Sequence, residues 1–443
     1  MRKITVLLLI FAFLTASCIA VANAVPYSRR ANWDSWESKA SMPTRRFNLG
    51  AAVVEGKIYA IGGGSVVNEM YDPTTDTWTT KAPMITPRKS FGIAVYENKI
   101  YCIGGSGGGG ANEVYDPATD TWENKTSMPT RRYGIGANVV DGKIYVIGGK
   151  NASGWIDGAN EVYDPATDTW TTKTPIPTRV SYYASAVFDN KIYVIGGYNG
   201  SVYVDLTQIY DPETDTWSNG APIPSLSLLG AGAGVTTGVW APKRIYVIGA
   251  NLPSGGINEI VFLVNHVRNQ IYDPERDVWS SGASLPIARI GCGIAVVDDI
   301  LYAIGGTNSV FFPYSYSDNQ HYTPYGYGTI PPAIAAVSPE NKTYATGNVS
   351  LAFAVNKPAV WMGYSLDGQD NVTITGNTTL SGLTSGLHSV TVYAKDSFEN
   401  TGASETITFS VEEPFPTMLV AVAAVAVAVG SVGVLVYFRK RNH

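Results

Sequence analysis

The stretch KIYAIGG at residues 57–63 returns along the chain as KIYCIGG (99–105), KIYVIGG (143–149), KIYVIGG (191–197), RIYVIGA (244–250) and ILYAIGG (300–306). A second marker follows each copy. It reads NEMYDPTTDTW (68–78), NEVYDPATDTW (112–122), NEVYDPATDTW (160–170), TQIYDPETDTW (207–217) and NQIYDPERDVW (269–279). The sixth, NQHYTPYGYG (319–328), keeps Tyr322 and lacks the Trp. Trp78, Trp122, Trp170, Trp217 and Trp279 lie 44, 48, 47 and 62 residues apart, the last spacing marking an insertion. A period of this size marks a repeat architecture in which each copy is one supersecondary unit.

Each copy reads as four short strands. A run of small and β-branched residues (Gly50 to Val54) comes first, and a two-residue turn such as Glu55-Gly56 or Asp141-Gly142 suits a tight hairpin. KIYxIGG is the second strand and NExYD the third. Asp72-Pro73 and its equivalents open a turn in which Pro sets φ, and the fourth strand carries the Trp. A single such sheet cannot bury both faces, so the copies must stack. The Gly pair permits close backbone approach between sheets. Each buried Tyr or Trp is worth about 4–6 kcal/mol as an upper bound. The Trp missing from the last copy is supplied at the other end of the chain: WDSWESKASMPT (33–44) reads as an isolated fourth strand, with Trp36 lying 42 residues before Trp78. It is expected to complete the last blade and close the ring.

The Gly-Gly pair, the Tyr and the Trp at regular offsets resemble the kelch repeat over residues 31–328. The resemblance implies a six-bladed β-propeller, one four-stranded blade per repeat. Kelch proteins commonly bind partners on the face bearing the loops between strands 2 and 3 and the links between blades.

Composition narrows the class. The 443 residues carry 31 Lys+Arg against 36 Asp+Glu, a formal net charge of −5, which argues against nucleic acid as a partner. Three Cys and four His exclude a disulfide scaffold and leave little for a metal site; no cofactor and no metal are expected. Residues 1–24 read as a secretory signal with cleavage after Ala24. The uncharged run 418–438 is expected to form a transmembrane α-helix about 31 Å long, followed by a basic cytoplasmic tail (439–443). A C-terminal sorting signal reads similarly. These ends predict a cell-surface, single-pass membrane protein with its N-terminal domains outside, the propeller spanning 25–330.

Beyond Pro331-Pro332 the pattern changes to alternation of period two, as in Leu351, Phe353 and Val355, with a hairpin signal at Asp367-Gly368. Residues 331–413 therefore suggest an Ig-like β-sandwich. The run GLHSVTVYAKDSFENTG (386–402) resembles prokaryotic surface Ig-like and fibronectin-type modules, so the whole resembles an archaeal-type kelch surface protein on a stalk. Sequons at Asn124, Asn151, Asn199, Asn341, Asn348, Asn371 and Asn377 would suit N-glycosylation in an exported chain, and chance in an Asn/Thr-rich chain could also account for them.

Two sets of residues stand out as ligand-binding candidates. Aligned on the KIY strand, Arg46, Arg88, Arg132 and Arg289 share one position, and Arg45, Arg131 and Arg179 lie one residue earlier. They predict a broken ring of guanidinium groups around the channel mouth, suited to carboxylates through their planar donor fork. A repeated Arg could equally pair inside the scaffold. The loops between strands 2 and 3 add Trp155, Tyr198, Tyr203, Phe312 and Tyr314. The mixture suits an acidic sugar or an acidic protein loop, so the expected function is an extracellular binding or adhesion protein for a protein or glycan ligand. The alternative is an exported kelch-fold sugar enzyme. A resemblance to galactose oxidases would require copper held by two His and two Tyr, and only His266 and His321 are at hand. A resemblance to sialic-acid epimerases would require an acid/base pair, for which Asp157, Asp205 and Glu259 are the loop carboxylates.

Overall fold

The computed structural model describes residues 33–224, 230–251, 266–308 and 314–412. They divide into two compact units on either side of the Ile330–Pro331 junction. In the first, six four-stranded antiparallel sheets follow one another in the order of the repeats. Blade one runs through Leu49–Val54, Lys57–Gly62, Asn68–Asp72 and Thr77–Lys81. The sixth sheet combines Gly293–Val297, Ile300–Ile304 and Asn319–Thr323 with Ser35–Lys39 from the N-terminal end. The register of that seam pairs Ser35 with Thr323 and Lys39 with Asn319. Blade five differs: its second and third strands lengthen to Ile245–Asn251 and His266–Asp273 around the insertion.

The motifs weld blades together. The KIY tyrosine of each blade packs on the third-strand tyrosine of the next, as in Tyr59 with Tyr115 (centroids 5.8 Å apart) and Tyr302 with Tyr71 (5.9 Å). Each third-strand tyrosine leans on its own blade's Trp, Tyr71 on Trp78 at 5.1 Å and Tyr322 on Trp36 at 5.1 Å. The Tyr71 hydroxyl donates to Asp76 Oδ1 at 2.7 Å, and that same oxygen accepts the Ala40 amide at 2.8 Å. Trp78 Nε1 donates to the Ala40 carbonyl at 2.7 Å. At the seam Tyr322 donates to Asp34, which also accepts the Ala283 amide, while Trp36 Nε1 takes the Ala283 carbonyl at 2.8 Å. Asp34, Asp76 and their equivalents adopt φ near +53°, a region in which Asp is tolerated better than most residues.

The Gly-Gly pair has a specific role. Gly305 and Gly306 both take positive φ, and Gly306 N donates to the Arg46 carbonyl of blade one at 2.8 Å. A Cβ on Gly305 would sit 2.6 Å from that carbonyl oxygen. Gly104 and Gly148 approach the carbonyls of Arg132 and Val180 in the same way, at 2.7 and 2.6 Å.

The second unit, within 331–412, holds two sheets around one apolar core. One contains Ile334–Ser338, Val349–Val355 and Thr378–Leu380; the other is centred on Gly386–Lys395, flanked by Trp361–Leu366 and Ile407–Val411. Val349, Leu351, Leu380, Val390, Val392, Phe409 and Val411 are buried between them. Asp367 and Gly368 form the expected hairpin turn with φ of 52° and 73°. His388 is buried with Nε2 at 2.8 Å from the Thr384 carbonyl and Nδ1 at 2.8 Å from Asp367 Oδ2. Both ring nitrogens face acceptors, and the Thr384 carbonyl, then Asp367, push its pKa up.

The expected fold class needs a correction. Among the described residues every regular element is a strand, and no helix is long and apolar enough to cross a membrane. The segments 1–24, 418–438 and 439–443 lie outside the described residues. Among the described residues the fold class is therefore all-β with no transmembrane helix, which corrects the expected fold class and leaves the expected single-pass membrane placement without a spanning element there. A spanning helix pairs its backbone within the one segment, whereas the regular backbone described here is paired between strands.

Two outcomes follow for stability. Gly56→Ala, at φ +72° with open space around it, should cost only the backbone term of about 1–2 kcal/mol. Gly305→Ala adds a clash across the blade boundary and should cost about 3 kcal/mol or more in thermal or denaturant unfolding; equal losses in the two variants would refute the weld. For His388, whose folded pKa is raised, the stabilisation is fully present below the unfolded value and is lost as pH rises through the folded one. The stability of the second unit should fall over that window in the intact protein, and His388→Asn should flatten the profile.

Candidate functional site

The arginines of the repeated position turn inward. Arg46, Arg88, Arg132 and Arg289 are 3%, 0%, 1% and 0% exposed. At the Gly-Gly turn the guanidinium fork gathers carbonyl oxygens at the ends of strands 2 and 3, adding a second donor to some, such as Ala159 O, that already accept a backbone amide. Arg132 Nη1 donates to the Ala159 carbonyl at 3.0 Å and to that of Gly148; Nη2 donates to Val146 at 3.3 Å and to Glu161 Oε2 at 2.7 Å. Arg46 does the same with Gly62, Val67 and Ala60 and pairs with Glu69 at 2.7 Å. Arg88 pairs with Glu113. Blade four carries Val180 and Gln208 instead, and Gln208 exchanges two hydrogen bonds with the Thr178 backbone. In blade six Arg289 faces Gln320, and its nearest described carboxylate, Asp318, is 3.9 Å away. Burial pulls the pKa of Arg46 and Arg289 below the ordinary range, Glu69 opposing this at Arg46. The expected ring at the channel mouth is thus corrected for these four: they satisfy the scaffold and present nothing to a ligand.

Different cations occupy the surface. Arg45, Arg131 and Arg179, one position earlier, are exposed. Each lies against the loop of the preceding blade. Arg45 donates to the Tyr314 hydroxyl and covers its ring at 5.2 Å. A Cβ on Gly110 would meet Arg131 at 3.4 Å, and one on Gly158 would meet Arg179 at 3.0 Å. Two lysines join them, each half-buried on an aromatic ring: Lys89 over Phe47 at 5.3 Å and Lys150 over Tyr198 at 5.7 Å. No described carboxylate pairs with any of the five. Asp157, Asp205 and Asp318 are the acids of the described loops on this face. Asp157 Oδ1 is engaged by the Ala159 amide at 2.8 Å.

The aromatic candidates divide. Trp155 is 76% exposed at the tip of a loop shaped by Asn151, whose Oδ1 accepts the Ser153 and Trp155 amides at 3.0 and 3.1 Å. Asn199 shapes the next loop in the same way, accepting Ser201 and Val202 at 2.9 Å. That loop brings Tyr198 and Tyr203 to 5.2 Å, and a Cβ on its Gly200 would meet Ile156 of the Trp155 loop at 3.4 Å. Phe312 and Glu259 lie outside the described residues. Asn151, Trp155, Ile156, Asp157, Pro177 and Arg179 line a cleft of about 790 Å³, within the ordinary range for ligand sites. Of the remaining sequons, Asn124, Asn341, Asn348, Asn371 and Asn377 are exposed.

The blade links meet at the channel mouth in a collar that the sequence reading passed over. Asn48, Ser90, Gly134, Tyr182, Gly230 and Gly291 all adopt positive φ. Their peptides run head to tail around the mouth: Ser90 N to Asn48 O at 2.9 Å, Gly134 N to Ser90 O at 2.7 Å, Tyr182 N to Gly134 O at 2.9 Å, Gly291 N to Gly230 O at 3.0 Å and Asn48 N to Gly291 O at 2.7 Å. The cavity beneath, about 240 Å³, is walled by the first strands and is smaller than ordinary ligand sites. Among the described residues no three His, Cys, Asp or Glu gather as metal ligands. His321 is engaged at the seam, its Nε2 3.0 Å from Glu37.

Comparison with known proteins agrees with this architecture. The kelch-motif profile matches residues 45–85 and 87–129, and the profile described as KLHDC2/KLHL20/DRC7 kelch-repeats domain matches 114–250. The first unit is a kelch β-propeller. The solved structure of YjhT superposes with a TM-score of 0.55 at 17% identity, covering 63% of this chain and 95% of YjhT; at that identity the likeness is one of fold. Halomucin of Haloquadratum walsbyi is 40% identical over 91 residues, 19% of this chain and 1% of halomucin, so the match spans a small fraction of that relative.

The division between buried and exposed arginines can be measured. Arg132→Ala leaves Glu161 buried without its partner and should cost about 3–5 kcal/mol. Arg131→Ala, its exposed neighbour, should change stability by no more than about 0.5 kcal/mol. Comparable unfolding midpoints for the two would overturn the assignment.

Proposed function

We propose that this protein is a binding protein whose kelch propeller recognises an anionic glycan on its loop face. The observation that carries this reading is the set of five surface cations, Arg45, Lys89, Arg131, Lys150 and Arg179, with no carboxylate partner among the described residues in a chain of net charge −5. Cations left unneutralised on one face of an acidic protein attract an anion and steer its approach. Interleaved Trp155, Tyr203 and Tyr314 provide flat apolar surfaces with polar edges, suited to the faces of sugar rings, and the cleft beside Arg179 has room for one or two of them. Arginine supports the reading further, because its planar fork matches a carboxylate.

The test is binding of the intact protein to an array of neutral and acidic glycans. Acidic members should bind, and affinity should drop as salt is raised. Replacing Arg45, Arg131 and Arg179 together by Ala should weaken binding by roughly a hundredfold or more, at about 1.5–3 kcal/mol for each charged hydrogen bond lost, with the melting temperature retained. Binding confined to neutral glycans, or retained by the triple variant, would reject the reading. Binding only to acidic peptides would turn it toward a protein partner.

A further inference from the structure

Tyr182 breaks the pattern of the collar. The other five positions hold Gly, Asn or Ser, the residues that accept left-handed backbone or are small enough to tolerate it. Tyr182 holds φ +55° there, and a bulky side chain in that region is strained. Strain of this kind persists where surroundings over-determine it, and an observed outlier is a reason to look for function.

The surroundings show what the strain positions. The ring lies flat on Gly134 of the neighbouring blade: a Cβ there would meet three atoms of the Tyr182 ring, each at 3.3 Å. It therefore extends from blade four over the link into blade three. Tyr133 meets it edge-on, with centroids 6.2 Å apart at 72°. Tyr182 thus forms part of the roof of the channel cavity and is only partly covered. Lys89 precedes Ser90 in the collar, and Lys150 bridges to Tyr133. The face that holds this aromatic surface thus also carries two ammonium groups with no described carboxylate, Lys89 over Phe47 and Lys150 over Tyr198.

We infer that Tyr182 is the stacking floor of the binding site, on which one sugar ring of the anionic glycan lies over the channel mouth while Lys89 and Lys150 meet its acid group. This rests on the glycan reading above and adds a residue, a place and a ligand form to it. The ligand must present a ring face next to a negative charge, as a uronic-acid residue does; a linear polyanion meets the charges and leaves the floor unused.

A galacturonate hexamer is the probe, with poly-glutamate as the linear polyanion and a neutral glucose hexamer as the uncharged ring. Titration calorimetry, thermal melting and the tyrosine difference spectrum are read on wild type, Tyr182→Gly and Tyr182→Phe. Glycine is the residue the repeat itself uses at this position in blades three, five and six. Tyr182→Gly should therefore hold or raise the melting temperature while weakening hexamer binding at least tenfold and abolishing the spectral change. Tyr182→Phe should bind nearly as wild type, since stacking needs the ring. Poly-glutamate binding should not depend on position 182. Hexamer binding unchanged in Tyr182→Gly would overturn the inference while leaving the glycan reading standing. A melting temperature that falls along with binding would assign Tyr182 to the scaffold and overturn it too. A wild type that binds neither hexamer nor acidic glycan would remove the underlying reading itself.

Discussion

At every blade boundary the backbone of one residue is gripped from both sides. Its amide donates to an Asp in the turn of the following blade, and its carbonyl accepts from that blade's Trp indole. Ala40, Ala82, Thr126, Thr174, Ala221 and Ala283 occupy this place in turn. The Asp can accept because it sits in left-handed backbone, and a buried tyrosine hydroxyl holds it there. The spacing Tyr-Asp-Pro-x-x-Asp-x-Trp is thus one latch and not three separate signatures. The rest of the molecule depends on it. The Gly-Gly contacts and the collar require blades already set at this separation, and the loops that carry the surface cations are anchored in strands whose positions the latch determines.

Much of this could be read from the repeats. Because Trp36 and Asp34 sit at the offsets that the sixth copy lacks, the seam was visible as a missing partner in the sequence. The Gly-Gly pair was legible as close approach, since only a residue without Cβ tolerates a carbonyl oxygen at 2.6 Å. The arginine ring was not. Alignment places Arg46, Arg88 and Arg132 on a link but says nothing of which way a long side chain turns, and their partners Glu69, Glu113 and Glu161 lie a strand pair away in sequence. A signal did exist: in blade four both members change together, to Val180 and Gln208, as expected if they meet. Tyr182 escaped notice because a tyrosine beside a strand looks ordinary until its backbone is compared with Asn48, Ser90 and the glycines.

The buried arginines and the exposed ones divide the electrostatics of the face. An ion pair taken out of water gains little net stability, yet losing one member is costly. Arg46, Arg88 and Arg132 therefore define loop geometry more than they deepen the energy well. Their charges are cancelled on the spot, so the field outside belongs to Arg45, Lys89, Arg131, Lys150 and Arg179. Blade six departs from this rule. Gln320 replaces the carboxylate, Arg289 Nε and Gln320 Oε1 have no hydrogen-bond partner among the described residues, and compensation there falls to a partly exposed Asp318. Blade six, which also contains the seam, is the blade whose buried charge is least well matched.

The seam has a mechanical consequence. Ser35 pairs with Thr323, so the chain enters and leaves the ring at the same end of one antiparallel strand pair, and Trp33 and Tyr325 touch just beyond it at 5.4 Å. Tension drawn along the polypeptide would reach this pair first and pull its two strands apart from that end. The five register pairs, from Ser35–Thr323 to Lys39–Asn319, would then open one after another like a zip, rather than sharing the load as strands pulled past each other do. The ring that is closed against heat by six repeated latches is, under traction, only as strong as the first rung of its closure.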